Sequence, residues 1–104
     1  MSALSINPGT GPVASATELQ ATANMAVFCD DLRSMGVDVE TFIRRRASDY
    51  GQGRYAYDLV FGDGRPSVEV QMPGVPDSDT MPRLYVNGSS WWWGIALTVC
   101  AGDD

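Results

Sequence analysis

The sequence predicts a small α+β domain, and three features carry that prediction. Apolar residues recur at helical steps from Ala21 to Met35. The period then drops to two over "RYAYDLVF" and "SVEVQM". Between and after these runs stand Asp63-Gly64 and Asn87-Gly88, pairs favoured in tight turns between strands. The expected order is ααβββα: a helical hairpin, an antiparallel β-hairpin with a short third strand, and a C-terminal helix, the helices covering one face of the sheet. With 104 residues, the chain is one domain, able to bury roughly 65% of the surface of its unfolded form.

The first stretch, Met1 to Ala14, is rich in Gly, Pro and Ser without a period and reads as a tail before a domain spanning 15–104. It lacks the basic start and apolar run of a secretory leader. Ser15 followed by Glu18 is a capping box that starts the first helix. Ala21, Met25, Phe28, Leu32 and Met35 form its buried stripe, and Gly36 takes the terminating position. Asp38 can cap a second helix, with Val39, Phe42, Ile43, Ala47 and Tyr50 as its stripe, ending at Gly51. So short a connection would fold the two helices into an antiparallel pair.

In the hairpin, Tyr55, Tyr57, Leu59 and Phe61 share one side, opposite Ala56, Asp58 and Val60. Its second arm sets Val68, Val70 and Met72 against Glu69 and Gln71. The stretch "PGVPDSDTMP" is an extended loop, and "RLYVN" a short third strand closed by Asn87-Gly88. The last segment, "SSWWWGIALTVCAG", has two readings. As a strand, Trp91, Trp93, Ile95, Leu97 and Val99 share a face and Trp92 points the other way. As a helix, the preferred reading, Ser89 or Ser90 caps it, Trp92, Ile95, Ala96 and Val99 form the stripe, and Gly102 stops it. Either way the three indoles cannot all face one core, so the triplet serves two surfaces. The predicted core is Met25, Phe28, Leu32, Phe42, Ile43, Tyr57, Leu59, Val68, Val70, Leu84, Val86, Ile95 and Val99.

Composition narrows the function by exclusion. There is no histidine, which removes Ser-His and Cys-His nucleophiles and His-containing zinc sites. Cys29 and Cys100 are the only cysteines and read as small buried hydrophobes of a cytoplasmic chain. Thirteen acidic residues against seven basic ones, all arginine, give a net charge of −6. That balance disfavours nonspecific nucleic-acid or anionic-membrane binding. The longest apolar run, Trp91 to Ala101, falls short of the ~20 residues that a membrane span needs.

Individual motifs add little chemistry. Arg44-Arg45-Arg46 reads as the solvated side of the second helix. Asp77-Ser78-Asp79 begins like a calcium loop, but Pro82 and Gly88 stand where that loop needs Gly and Glu. Asp58 and Glu69 lie on the polar face of the hairpin with nothing apolar to raise a pKa. The sequence therefore predicts no catalytic residues, no cofactor and no metal. Tryptophan remains as the residue of interface hot spots, since it buries much area at small entropic cost.

"FGDGRPSVEVQMPGVP" followed by "PRLYVNGSSWWW" resembles small proteins of phages and prophages of GC-rich bacteria, over residues 59–100. The resemblance implies an anti-defence setting: a protein-binding inhibitor, anti-CRISPR-like, that occupies a surface of a host protein complex in the bacterial cytoplasm. The target would be a nucleic-acid-binding effector whose basic channel an acidic face can fill. The expected contact residues are Asp63, Asp77, Asp79, Trp91 and Trp92, with no direct nucleic-acid or membrane contact, from a monomer or small homo-oligomer. A small virion assembly protein is the alternative.

Overall fold

A computed structural model describes residues 15–46, 53–74 and 83–102. Helix α1 (Ala16–Ser34) leads into a meander of five antiparallel strands: β1 (Val39–Arg44), β2 (Arg54–Phe61), β3 (Val68–Pro73), β4 (Arg83–Val86) and β5 (Ser89–Trp92). Helix α2 (Trp93–Ala101) closes the chain. The α+β architecture read from the sequence is thus present. The expected tail 1–14, Ala47 and Tyr50 of the expected second helix, and Asp77 and Asp79 lie outside the described residues.

Helix α1 is set by its two ends. The Ser15 hydroxyl accepts from the Glu18 backbone N–H at 3.0 Å, half of a capping box. At the other end Gly36, at φ +89°, lets its own N–H reach Arg33 O and Val37 N–H reach Leu32 O, both at 3.0 Å. That pair of bonds is a Schellman stop, completed by the burial of both Leu32 and Val37. Between the ends, Ala21, Met25, Phe28, Cys29 and Leu32 face the sheet.

The second helix of the expected hairpin is instead strand β1, and the third-strand sheet has five strands. Val39, Thr41, Phe42 and Ile43 are β-branched or aromatic, a composition that fits a pleated surface as well as the helical stripe. Pairing with β2 decides it: Phe42 lies opposite Leu59, Ile43 opposite Asp58 and Arg44 opposite Tyr57. Period-two alternation then turns Ile43 away from the core, so this predicted core residue is exposed. A bulge between Val39 and Thr41 absorbs Glu40.

Strands β2 and β3 follow the predicted alternation. Tyr57, Leu59, Phe61, Val70 and Met72 are buried, and Leu59 pairs with Val68 across the hairpin. The two-residue turn is Asn87-Gly88, where both residues take positive φ (53° and 83°) and Val86 pairs with Ser89. At Asp63-Gly64 only Gly64 has positive φ, so that connection is a wider loop. Gly74 ends β3 so close to α1 that a Cβ there would stand 2.2 Å from the Thr17 carbonyl oxygen.

Both helices lie on the same face. Thr22 of α1 hydrogen-bonds the Tyr57 hydroxyl at 2.9 Å, and Phe28 meets Trp93 of α2 edge-on, ring centroids 5.6 Å apart. Ala96 and Cys100 of α2 join the same core as Met25, Phe28, Leu59, Met72, Leu84 and Val86. Of the remaining predicted core residues, Phe42, Val68 and Val99 are partly buried against it, whereas Ile95 is exposed. Among the described residues no helix is long and apolar enough to cross a membrane.

Candidate functional site

The tryptophan triplet falls on the junction of a strand and a helix, so each reading of the sequence holds for part of it. Asn87-Gly88 is a turn that returns the chain antiparallel, and it therefore makes Ser89–Trp92 the partner of β4. Trp91 pairs with Leu84 and shares its inner face, half-buried against the core. Trp92 pairs with Arg83, points to the outer face and keeps 42% of its surface exposed. Its backbone is extended (φ −69°, ψ 154°) and it occupies the N-cap of α2 without a side-chain cap. The expected start of the helix at Ser89 or Ser90 is thus too early, while the stop at Gly102, φ 83°, is where the sequence puts it. Trp93 opens the helix, folds back over Phe28, and donates its indole N–H to Asp31 Oδ2 at 3.2 Å. The Trp91 indole N–H is buried with no acceptor among the described residues.

The outer face that Trp92 joins is polar and cross-linked. Asp58 and Glu69 sit directly opposite each other on β2 and β3. The Arg45 guanidinium lies between these carboxylates, 3.5 Å from Asp58 Oδ1 and hydrogen-bonded to Glu69. Gln71 Nε2 adds a bond to Glu69 Oε2 at 3.1 Å. Alongside, Arg54 stacks over the Tyr85 ring, 4.5 Å from its centroid, and donates to its hydroxyl. No described helix covers this face, so it presents Ile43, Val60, Tyr85 and Trp92 among paired charges.

The arginine run is accordingly no solvated helix side, a correction that follows from β1 being a strand. Successive residues of a strand point to opposite faces, and that separates three neighbouring charges. Arg44 turns inward, stacks on Tyr55 and Tyr57 at 4.9 and 5.6 Å, and meets Glu18 at 3.0 Å. Arg45 turns outward to Asp58 and Glu69. Arg46, beyond the strand, returns to Glu18 at 3.0 Å. Nothing in the sequence pattern alone shows Glu18 paired with residues 26 and 28 positions away.

Asp63 lies in the β2–β3 loop, held by its neighbour Arg65. Its carboxylate accepts from the Arg65 backbone N–H at 3.1 Å and from Arg65 Nε at 3.2 Å, and these bonds hold its pKa below the usual carboxylate range. Arg65 continues over the Phe61 ring, 4.0 Å from its centroid, to the Cys100 carbonyl in the last turn of α2. Arg65, held by Asp63, therefore pins the loop to α2, at the end of the sheet away from the Arg83–Trp92 pair.

Cys29 and Cys100 are both free and buried. Burial pushes their thiols up to about 11 and about 12, the second also through the nearby Cys29. At neutral pH both stay protonated and packed as small apolar groups. Among the described residues no group of three or more carboxylates and cysteines is arranged to hold a metal ion.

Comparison with protein-family models, with curated proteins and with solved structures finds no match to this chain.

Proposed function

We propose that this protein is a non-catalytic binding domain whose outer sheet face, which no described helix covers, docks onto another protein. One observation carries the reading: Trp92, a large aromatic, stands exposed on a face whose carboxylates Asp58 and Glu69 are already engaged by Arg45. Arg45, Asp58 and Glu69 already supply one another's countercharges, and Trp92 beside them offers an aromatic anchor of hot-spot type. Tyr85, with its ring stacked under Arg54, extends the platform. Within this class we take the particular function to be inhibition of a bacterial defence complex, by occupying a protein surface of that complex. The resemblance of residues 59–100 to small phage and prophage proteins and the net charge of −6 support that setting.

The test is co-purification of the tagged chain with defence complexes from a bacterial host, followed by titration of the captured complex with wild type and Trp92→Ala. The variant should lose about 2 kcal/mol or more of binding, as truncation of a hot-spot residue does. Capture into phage particles with no host complex would favour the assembly role instead. Unchanged affinity on changing both Trp92 and Tyr85 would remove the outer face from the reading.

A further inference from the structure

We infer that α1 is a contact face between two copies of this chain, paired antiparallel about a two-fold axis at Ala23. The inference stands apart from the outer sheet face and does not depend on the binding partner proposed for it. Opposite the buried stripe of α1, the positions facing solvent from the first turn as far as Val27 are Ala16, Leu19, Gln20, Ala23, Ala26 and Val27. None is charged, although the chain carries thirteen acidic residues and seven arginines. Leu19 and Val27 are 60% and 52% exposed. A surface helix ordinarily places its charged side chains there, and a helix apolar on both sides calls for a second partner.

The charges at the two ends of this face identify that partner. At the N-terminal end stands Arg46, tied to Glu18 of α1, with 67% of its side chain exposed beside the positive end of the helix dipole. At the other end Asp30 is 74% exposed, held only by a surface pair with Arg33. The face is therefore apolar in the middle, positive at one end and negative at the other. An antiparallel copy of itself matches it, while a parallel copy would bring like ends together.

Helix geometry makes the match quantitative. At 1.5 Å per residue, Glu18, which holds Arg46, lies about 7.5 Å from Ala23 on one side, and Asp30 about 10.5 Å on the other. A two-fold axis through Ala23 sets Leu19 across from Val27 of the second copy, and Ala23 against Ala23, where small side chains permit close approach. It sets Asp30 across from Ala16, in the first helical turn of the second copy. The same axis keeps each flank of the helix on its own side, so Asp30 comes within about 3 Å, along the helix axis, of the level of Glu18 of the second copy. That brings the exposed end of Arg46 there within reach, twice per dimer. The interface is isologous, as closed dimers require. It leaves both outer sheet faces open, so one dimer would carry two docking faces.

The test uses the full chain, by sedimentation equilibrium from micromolar to millimolar concentration. Wild type should reach twice the mass of one chain. Leu19→Glu should remain monomeric with an unchanged helical spectrum and melting temperature. Asp30→Arg and Arg46→Asp should each weaken the homodimer about tenfold, by placing like charges across both ends. Mixed in equal amounts, these two variants should associate as tightly as wild type, since the mixed pair again sets opposite charges at both ends. If Arg46→Asp unfolds through its contact with Glu18, then Asp30→Arg and Leu19→Glu decide alone. A wild type that stays monomeric throughout, or a dimer indifferent to these changes, overturns the inference. A different protein as the occupant of this face would give the first of those results.

Discussion

The two faces of the sheet are built from the same strands, yet they obey different rules. On the inner face Tyr57, Leu59, Val70, Met72, Leu84 and Val86 are buried beneath α1 and α2, and Arg44, a charge on that face, is stacked on tyrosines and paired with Glu18. On the outer face Arg45, Asp58, Glu69 and Gln71 form a lattice among themselves, with Tyr85 and Trp92 beside it. Trp91 and Trp92 make the contrast at a single step of the chain: one indole rests against the core and the next lies on the outer face, 42% exposed. The inner face earns stability by removing apolar area from water, which is large and tolerates no voids. The outer face is held by screened ion pairs, each worth little, so its residues are free to be chosen for something other than folding.

Substitutions should reproduce that contrast, and the largest losses belong to the inner face. Phe28→Ala and Leu59→Ala should each cost about 2–5 kcal/mol, through the lost transfer energy and the cavity left behind. Denaturant unfolding measures this, and a cost as small as that of an outer-face change would break the comparison. Glu18→Gln comes next, at about 2–3 kcal/mol. Glu18 and Arg44 are each only 12% exposed, and the change removes from the edge of the core a carboxylate that both Arg44 and Arg46 meet.

A pH series sharpens the comparison from another direction. Both thiols have folded pKa values raised above the ordinary 9.0, to about 11 and about 12. The folded state therefore holds protons that the unfolded chain has released, and stability falls as pH rises from 9 through 11. By pH 10 the loss should be about 2 kcal/mol, each thiol contributing up to ~1.4 kcal/mol per pH unit. The Cys29→Ala, Cys100→Ala double variant should lack most of this decline up to pH 10, above which the Tyr57 hydroxyl, its pKa also raised by burial, still contributes. Neither thiol should react with a maleimide in the folded protein at pH 7. Smallest of all should be the outer face: Arg45→Ala about 0.5–1 kcal/mol and Trp92→Ala about 0.5 kcal/mol or less, both read from the melting temperature. A fluorescence quencher should reach Trp92 while Trp91 and Trp93 stay shielded.

What the sequence by itself determined is whatever is written in local chemistry. Ser15 with Glu18 and Gly36 bound α1, period-two alternation placed the inner and outer sides of β2 and β3, and Asn87-Gly88 and Gly102 marked a turn and a helix end. Each depends on residues within a few positions of one another. Tertiary structure alone decided three things. It made Val39–Arg44 a strand, because its branched and aromatic residues fit either period until β2 offered a ladder. It split the arginine run between two faces, giving Arg44 and Arg46 to Glu18 and Arg45 to Asp58 and Glu69. It also placed the tryptophans, because the turn at Asn87-Gly88 binds β5 to β4 through Trp92, and only beyond that ladder can Trp93 begin a helix and pack on Phe28. Pairing between distant segments selects among conformations that local energies leave nearly equal, and no pattern along the chain carries that choice.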